Sequence, residues 1–258
     1  MIDTHCHLLP GIDDGAADER EAFAMARCAE ADNISVAIVT PHVYTAAKLP
    51  SPIEYIASEI QRLQSLLVAE GLRLRLIPGA EVAMTAVPYF ECGQLRSLSI
   101  GSEGRYLIVE LASSELPCGF SQALFTIQQQ GFSPILAHPE RIAAVAADPG
   151  VLEGDVHRGL LLQVTAGSLT GFFGGAAHSA ALALIRQGWV QLLATDAHDS
   201  TERCMVLSPA VEKLKRWLVS SEIHALVHRN GERLLRGEVL PQGTRAYQPF
   251  RRFWFFGN

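Results

Sequence analysis

The sequence lacks both a long apolar run and an excess of basic residues. No stretch approaches the roughly 18 consecutive apolar residues that a membrane-spanning helix needs. The 258 residues include 21 Lys and Arg against 27 Asp and Glu, which gives a formal net charge of −6. A protein that grips the phosphate backbone of nucleic acid usually has the opposite balance. We therefore expect no membrane insertion and no nucleic-acid partner.

Cysteines are few and form no recognisable pattern. The five are odd in number and scattered, with no Cys-x-x-Cys spacing: Cys6, Cys28, Cys92, Cys118 and Cys204. This usage is unlike a disulfide framework and predicts reduced, mostly buried thiols in a cytoplasmic protein. The first candidate ligand described below is His5, so a cleavable signal peptide is not expected ahead of it.

Short aliphatic runs alternate with longer amphipathic stretches along the chain. The predicted strands are Met1–His7, Ser35–Thr40, Arg73–Pro78, Tyr106–Leu111, Ser133–His138, Leu160–Val164 and Val190–Thr195. The predicted helices are Asp18–Ala31, Pro52–Glu70, Ser121–Gln130, Ala176–Gln187 and Ser208–Val219. Apolar strands that alternate with helices are typical of βαβ units in a parallel sheet. Seven such strands in one domain favour a closed, irregular α/β barrel over an open doubly wound sheet.

Two segments are expected to differ from this framework. Thr165–Gly175 is rich in Gly, Thr and Phe and follows a strand end, so we expect a loop at a substrate-facing rim. The barrel is expected to span residues 1–240, followed by an aromatic and basic extension at 241–258. That extension packs on the barrel or on a neighbouring subunit of a homo-oligomer, or else it is an exposed surface for another partner.

Histidines and carboxylates lie at the ends of the predicted strands. His5 and His7 are two residues apart in the first strand, so both side chains point the same way. Asp196 and His198 repeat this spacing after the last strand. The other polar residues at strand ends are His42, Glu81, Glu110 and His138, with Asp13 and Asp14 in the loop after the first strand.

The joint pattern of these residues predicts a metal centre. Taken singly, a histidine at a strand end is more often a hydrogen-bonded structural residue, and a lone glutamate there can cap the next helix. In a parallel barrel, however, the carboxyl ends of all strands converge on one face. So many imidazoles and carboxylates would be costly to bury together without cations to neutralise them. The other four histidines are expected to be surface or packing residues: His157, His178, His224 and His228.

These segments resemble the polymerase-and-histidinol-phosphatase (PHP) superfamily. The matching motifs are His5-Cys6-His7, Asp13-Asp14-Gly15, Thr40-Pro41-His42, Gly79-Ala80-Glu81, Ala137-His138-Pro139-Glu140-Arg141 and Thr195-Asp196-Ala197-His198. The Asp-Asp-Gly loop and the His-Pro-Glu-Arg segment point to one branch, the bacterial capsule-type, metal-dependent protein tyrosine phosphatases. The likeness runs from Met1 to about Val239. It implies a distorted parallel (β/α)7 TIM-like barrel of the PHP type.

The resemblance also implies three divalent metal ions, with manganese the first expectation and iron, zinc, magnesium or cobalt as alternatives. In the implied arrangement, the first ion is held by His5, His7, Glu81 and Asp196. Glu81 bridges to the second ion, which Glu110 and His138 complete, and the third is held by Asp14, His42 and His198. Charge supports three ions. With two divalent ions, the four carboxylates and a bridging hydroxide leave the site net negative. With three ions the site becomes net positive and attracts phosphate.

The implied activity is hydrolysis of phosphotyrosine on protein, in which a metal-activated hydroxide attacks phosphorus. Arg141 and Asp196 are the candidate catalytic residues, and Arg141 is also the candidate substrate-binding residue because a guanidinium can hold two phosphoryl oxygens. The implied partner is the tail of a bacterial tyrosine kinase that controls exopolysaccharide synthesis, met in the cytoplasm. Val43-Tyr44-Thr45-Ala46-Ala47 departs from Gram-positive relatives, which often have arginines there, so substrate preference stays open.

Three other interpretations remain open on the sequence alone. A phosphoesterase of the same superfamily that acts on histidinol phosphate or a nucleotide would share these ligands. The opening Ile2-Asp3-Thr4-His5-Cys6-His7-Leu8 also resembles metal-dependent deoxyribonucleases of the TatD type, although Asp196-Ala197-His198 fits them poorly. The third is a catalytically idle metal-binding scaffold that regulates polysaccharide export. A cysteine-nucleophile phosphatase is excluded, because no cysteine is followed by arginine six residues later.

Overall fold

The computed structural model describes residues 1–44, 52–101, 104–111 and 115–242. Its strands are β1 (Ile2–Cys6), β2 (Val36–Val39), β3 (His42–Val43), β4 (Arg75–Pro78), β5 (Glu81–Ala83), β6 (Tyr106–Glu110), β7 (Ser133–Ala137), β8 (Leu161–Thr165) and β9 (Val190–Ala194). All seven predicted strands are present. The second and third are each followed by a short further strand, β3 and β5, that the sequence analysis did not separate.

Helices connect the strands. They are α1 (Glu19–Ala31), α2 (Pro52–Ala69), α3 (Cys92–Leu98), α4 (Phe120–Gln129), α5 (Ala143–Ala147), α6 (Glu153–His157), α7 (Ala166–Thr170), α8 (Gly174–Arg186), α9 (Ser208–Leu214), α10 (Ser220–His224) and α11 (Asn230–Leu235). Short 3-10 turns lie at Val87–Tyr89, Pro139–Arg141 and Pro149–Leu152, and a π-helical turn lies at Ala225–Arg229. All five predicted helices are present, although the one expected to reach Val219 ends at Leu214.

The strands build a single barrel wall from two hydrogen-bonded sheets. One sheet has the order β1-β2-β4 and the other β3-β5-β6-β7-β8-β9. Every pairing of these strands is parallel. The first break falls at Pro41, which has no backbone N–H to donate to a ladder. Backbone bonds nevertheless continue across it, because Thr40 donates to the Cys6 carbonyl at 2.9 Å and Glu81 to the Pro41 carbonyl at 3.1 Å.

The first and last strands close the barrel. The N–H of Asp196 donates to the His5 carbonyl, and the N–H of His7 donates to the Ala197 carbonyl, both at 2.9 Å. Cys6 and Ala197 form a parallel bridge at the same place. An open doubly wound sheet would not join these strands. The prediction of a distorted parallel α/β barrel is therefore confirmed.

The apolar core has two parts. A large cluster packs helices such as α1 and α2 against the strands, with Met25 and Leu63 fully buried within it. A smaller cluster takes alternate residues of several strands, and we place it in the barrel interior. Ile108 belongs to this smaller cluster and lies two residues before Glu110 on the same face of β6. The interior is thus apolar below and polar at the carboxyl ends of the strands.

Two expectations were wrong in part. The segment Thr165–Gly175 is not a continuous loop, because it contains helix α7, which is capped at its C-terminus by Gly171 in the left-handed conformation with φ of 95°. All five cysteines are free, but they are not mostly buried. Cys6 is buried, Cys28 and Cys204 are partly buried, and Cys92 and Cys118 are exposed because they lie at or just before helix starts on the surface.

Other expectations concern the chain as a whole. Among the described residues, no helix is both long enough and apolar enough to cross a membrane. The aromatic and basic extension falls outside the described residues beyond 242, so its packing stays a prediction. The last described segment contacts the barrel, where the N–H of Leu240 donates to the Tyr106 hydroxyl at 3.1 Å.

Candidate metal centre

The barrel topology brings all of the predicted ligands to one mouth. They lie in β1 (His5), just after β1 (His7), in the following loop (Asp14), in β3 (His42), in β5 (Glu81), at the end of β6 (Glu110), just after β7 (His138) and just after β9 (Asp196 and His198). Seven of the nine are buried, while His42 is partly exposed and Asp14 is exposed. The four other histidines lie on helices or turns away from this set: His157, His178, His224 and His228.

Two of these residues have unusual backbone geometry. His138 and Asp196 have φ of 36° and 52°, a left-handed conformation that non-glycine residues seldom adopt. Each is held there by a backbone hydrogen bond, from His138 to the Gln163 carbonyl at 2.8 Å and from Asp196 to the His5 carbonyl at 2.9 Å. Strain of this kind persists where the surrounding structure fixes a functional side chain.

Gly15 allows the acidic loop to fold over the end of β1. A Cβ at Gly15 would lie only 2.1 Å from the carbonyl oxygen of His7, so no other residue fits without moving the loop. The Gly15 N–H donates to Asp13 Oδ1 at 3.0 Å, and the Ala16 N–H donates to the His7 carbonyl at 3.0 Å. This turn places Asp13 and Asp14 against the imidazoles.

Glu81 lies at the centre of the cluster. Its Oε2 atom is 3.2 Å from His5 Nε2, 3.4 Å from His7 Nε2 and 3.1 Å from His42 Nδ1. It is buried, and it has no hydrogen-bond partner of acceptable geometry within the described residues. A buried carboxylate oxygen among three imidazole nitrogens is costly unless a cation neutralises it. The donor set therefore fits a divalent ion shared by His5, His7 and Glu81, three residues whose ligand atoms cluster tightly.

Asp196 connects this first group to two neighbouring arginines. Its Oδ1 atom lies 3.6 Å from His5 Nε2 and 3.5 Å from His7 Nε2. Its Oδ2 atom accepts hydrogen bonds from Arg141 Nη1 at 2.6 Å and from Arg203 Nη2 at 2.7 Å. One carboxylate thus faces the ligand cluster with one oxygen and two guanidinium groups with the other.

A second group lies on the other side of Glu81. Glu81 Oε1 is 2.8 Å from His138 Nε2, and Glu110 Oε1 is 3.0 Å from His42 Nδ1. The ligand atoms of His42, Glu81 and Glu110 lie close enough together to hold one ion. The resemblance placed His42 with the third ion alone, whereas in the structure this ring lies between the second and third groups.

The third group is the most open to solvent. Asp14 Oδ1 lies 3.4 Å from His42 Nε2 and 3.3 Å from His198 Nε2. His7 approaches the same group, since its ring centroid is 4.0 Å from that of His198. A cleft of about 500 Å³, lined by Asp14 and His198 among others, opens beside it. Burial lowers the pKa of His198 to about 4, so this imidazole is neutral and able to act as a ligand at neutral pH.

Hydrogen bonds behind the ligands fix the orientation of their rings. His5 Nδ1 lies 2.8 Å from Gln163 Oε1, His7 Nδ1 lies 2.7 Å from Asp13 Oδ2, and His198 Nδ1 lies 3.0 Å from the Asp196 carbonyl. An acceptor at Nδ1 holds the proton there and leaves Nε2 free to bind a metal. Gln163 was not predicted from the sequence, although a glutamine inside the aliphatic strand Leu161–Thr165 was a usable signal.

The buried acids and imidazoles shift one another's pKa. Burial opposes ionisation of Glu81, but the imidazoles of His5 and His138 outweigh it and hold the Glu81 pKa well below its usual value. Burial likewise opposes protonation of His7, yet its hydrogen bond to Asp13 and the nearby carboxylates raise the His7 pKa well above its usual value. Protons on imidazoles balance the carboxylates here, a role that cations would take over.

Two arginines line the edge of the cluster. Arg141, the predicted substrate-binding residue, is not a remote surface residue, because it bonds to Asp196 and its side chain keeps 32% exposure. Arg203 was not singled out from the sequence. It reaches the same carboxylate from the loop after β9, and its side chain is 23% exposed. Both guanidinium groups lie near the ring of Phe173.

Comparisons with known proteins show similarity to tyrosine phosphatases over nearly the whole chain. Tyrosine-protein phosphatase YwqE of Bacillus subtilis (strain 168) is 30% identical over 257 residues, covering 100% of this chain and 99% of YwqE. CapC of Staphylococcus aureus is 28% identical over 255 residues, covering 99% of both chains. A solved chain among the crystal structures of YwqE from Bacillus subtilis and CpsB from Streptococcus pneumoniae, described as unique metal-dependent tyrosine phosphatases, superposes with a TM-score of 0.85. It is 28% identical and covers 98% of this chain and 100% of its own.

The family assignment follows from a match over most of the chain. The model of the family described as "Capsular polysaccharide synthesis, CpsB/CapC" matches residues 1–236. This range contains the described strands and all nine predicted ligands. The resemblance proposed from the sequence motifs is confirmed, and the chain belongs to the CpsB/CapC family.

Proposed function

We propose that this protein is a metal-dependent phosphatase that hydrolyses phosphotyrosine on proteins. One observation carries the proposal: the nine predicted metal ligands and two arginines converge on a single barrel mouth, and Asp196 contacts both arginines. The relatives named tyrosine-protein phosphatases span essentially the whole chain, which supports the choice of substrate.

The site is proposed to hold three divalent ions, manganese first and iron, zinc, magnesium or cobalt as alternatives. His5, His7, Glu81 and Asp196 would hold one, Glu81, Glu110 and His138 a second, and Asp14, His42 and His198 a third. The position of His42 between two groups makes it a candidate ligand for either neighbouring ion. Bound divalent ions lower the pKa of water and neutralise phosphoryl oxygens.

The protein's own residues would orient the substrate and hold protons at defined atoms. Within the described part of the chain, Asp196 is the carboxylate bonded to Arg141, through Nη1, so Nε and Nη2 remain for phosphoryl oxygens. Asp196 fixes the arginine and also faces the first ligand group. Gln163 and Asp13 keep the Nδ1 protons of His5 and His7, so that Nε2 points to the cluster.

The leaving group explains why no general acid is included in the proposal. A tyrosine phenol has a pKa of about 10, much lower than that of a serine hydroxyl, so phenolate departs with less help from a proton donor. An anionic leaving group and an anionic phosphate both favour a site with net positive charge. The three ions with their four carboxylates and the hydroxide are already net positive. Arg141 and Arg203 add two positive charges to this total, and Asp13 adds one negative charge.

The physiological partner is proposed to be the phosphotyrosine-bearing tail of a bacterial tyrosine kinase that controls exopolysaccharide synthesis. The family's description as a capsular polysaccharide synthesis group supports this choice. Such a tail would be met in the cytoplasm, where we propose that the protein acts.

The test compares substrates on protein purified without chelator, with metal content measured by elemental analysis. We expect turnover of a phosphotyrosyl peptide to exceed that of histidinol phosphate, a nucleotide monophosphate and single-stranded DNA. Preference for one of the last three would replace the proposal with the corresponding alternative. A metal-loaded protein without any phosphatase activity would instead support an idle scaffold.

A variant tests the role of Arg141. Arg141→Ala should lower kcat on p-nitrophenyl phosphate while the metal content stays unchanged, because the guanidinium contacts substrate and not the ions. The matched control is Arg27→Ala, which removes a surface arginine paired with Glu70. Full activity of Arg141→Ala would remove this residue from the mechanism.

A further inference from the structure

The aromatic ring of Phe173 lies against both arginines of the site. The Cζ atom of Arg141 is 4.4 Å from the ring centroid, and the Cζ atom of Arg203 is 5.7 Å from it. These distances are in the range of cation–π contacts. Both guanidinium groups also donate to the same oxygen, Oδ2 of Asp196. The Phe173 ring and the Asp196 carboxylate, from separate parts of the chain, thus both contact the two positively charged guanidinium groups.

Like charges held this close need compensation. Both guanidinium groups contact the Asp196 carboxylate, whose other oxygen faces the imidazoles of the ligand cluster, so they share its single negative charge. The electron-rich face of an aromatic ring attracts cations and adds a contact without adding a net charge. Arg203 Nε is also buried with no hydrogen-bond acceptor within the described residues, so its guanidinium gains from an aromatic neighbour.

The local structure fixes the position of the ring. Gly171 caps the C-terminus of helix α7, and Phe173 directly precedes helix α8. Phe172 packs edge-on against Phe173, with centroids 5.0 Å apart and an interplanar angle of 86°. A Cβ at Gly167 would lie 2.9 Å from Phe173 Cε2, so the ring occupies the space that this glycine leaves open.

We propose that Phe173 is a positioning residue, whose ring holds the guanidinium groups of Arg141 and Arg203 in register for phosphoryl oxygens. This inference rests on the proposed phosphatase function. Arginine side chains lose considerable rotamer freedom when they are ordered. A ring that orders them before substrate arrives removes part of that cost from binding. Phe173 itself touches the arginines and not the reacting atoms.

The first test replaces the ring while keeping its apolar character. Phe173→Leu should lower kcat/KM for a phosphotyrosyl peptide about tenfold, within the strength of a partly buried cation–π contact. The inhibition constant of inorganic phosphate should rise by a similar factor. Phe173→Tyr keeps the π face and should restore both values to within about twofold of the wild type. Metal content should stay the same in both variants.

A second pair of variants moves the ring without changing it. Gly167→Ala should displace Phe173 and weaken phosphate inhibition, because its Cβ would lie 2.9 Å from Phe173 Cε2. Thermal unfolding of this variant shows whether the fold is retained. The matched control is Gly175→Ala in helix α8, where a Cβ would meet nothing within 4 Å. This control should leave phosphate inhibition unchanged.

A double-mutant cycle separates positioning from packing. If Phe173 acts through the arginines, Phe173→Leu should change kcat/KM less than about twofold when Arg141 and Arg203 are already alanine. A tenfold loss in that background would overturn the inference, as would equal activities of Phe173→Leu and the wild type. A wild-type protein with bound metal and no phosphatase activity would refute the proposed function instead, so the two failures are distinguishable.

Discussion

Replacing Asp13 by asparagine is expected to weaken metal binding, although Asp13 is not itself a proposed ligand. Asp13 Oδ2 accepts from His7 Nδ1 at 2.7 Å and from the His42 N–H at 3.0 Å, while Oδ1 accepts from the Gly15 N–H at 3.0 Å. All three partners are donors. An amide has one accepting oxygen, so in either orientation its NH2 group faces a donor.

The magnitude follows from these contacts. If the NH2 group faces His7, the imidazole must carry its proton on Nε2, the atom that would bind an ion. If it faces Gly15, the loop loses one hydrogen bond and gains a repulsive contact. Loss of a charged acceptor behind a metal-binding histidine typically costs about 10–100-fold in metal affinity. We expect a loss of that size for Asp13→Asn.

The assay is competition between the chelator-stripped protein and a chromophoric chelator for manganese or zinc. The matched control is Asp18→Asn in the same loop region, which removes an equal charge but keeps a side chain able to cap helix α1. Thermal unfolding of both variants shows whether the fold is retained. An affinity of Asp13→Asn within about twofold of the wild type would refute the reasoning about the His7 tautomer.

Three further predictions concern protons and close packing. Metal binding to chelator-stripped protein near pH 7 should release protons, because the His7 pKa is raised; calorimetry in buffers of different ionisation enthalpy measures this. Burial raises the Glu140 pKa, so the free energy of unfolding of the wild type relative to that of Glu140→Gln should fall as pH rises from about 4 through that raised value, which paired denaturation curves measure. Gly15→Ala should cost about 2 kcal/mol or more in chemical denaturation and lower the metal content, since its Cβ overlaps the His7 carbonyl.

Each of these has a contradicting result. Proton release of zero would mean that His7 is already neutral before metal binds. If the difference in stability between Glu140→Gln and the wild type were the same at pH 8 as at about pH 4, burial would not penalise the Glu140 carboxylate. The control for Gly15→Ala is Gly93→Ala, where a Cβ meets nothing within 4 Å, and equal losses in both would contradict the steric argument.

The convergence of the predicted ligands could be foreseen from the sequence because it depends on barrel topology. In a parallel barrel, any polar side chain at the carboxyl end of a strand approaches the same mouth, so His5, Glu81 and His138 meet whatever the loops do. The barrel class followed from the same alternation of apolar strands and helices. The short strands β3 and β5 were not separated from the strands that precede them. Pro41 and Gly79 lie at these two points, but whether such a residue breaks the hydrogen-bond ladder can be judged only when the neighbouring strand is known.

The residues that hold the ligands and the arginines were not predictable in the same way. Arg203 reaches Asp196 only because the loop after β9 folds back onto helix α1, where the N–H of Ser200 donates to Glu21 at 2.6 Å and that of Leu207 to Asp32 at 2.6 Å. Such contacts join segments far apart in sequence and depend on how the whole molecule packs. A periodicity read from one segment contains no information about them.

The closure of β1 on β9 has a consequence for the time at which the centre can assemble. His5 is made early in translation, and Asp196 and His198 are made only near the end of the barrel. At about 5–20 residues per second, the early imidazoles wait roughly 10–40 s for these partners. Metal binding should therefore occur late in translation. A nascent chain stalled before residue 196 should bind metal poorly, although it contains most of the histidines.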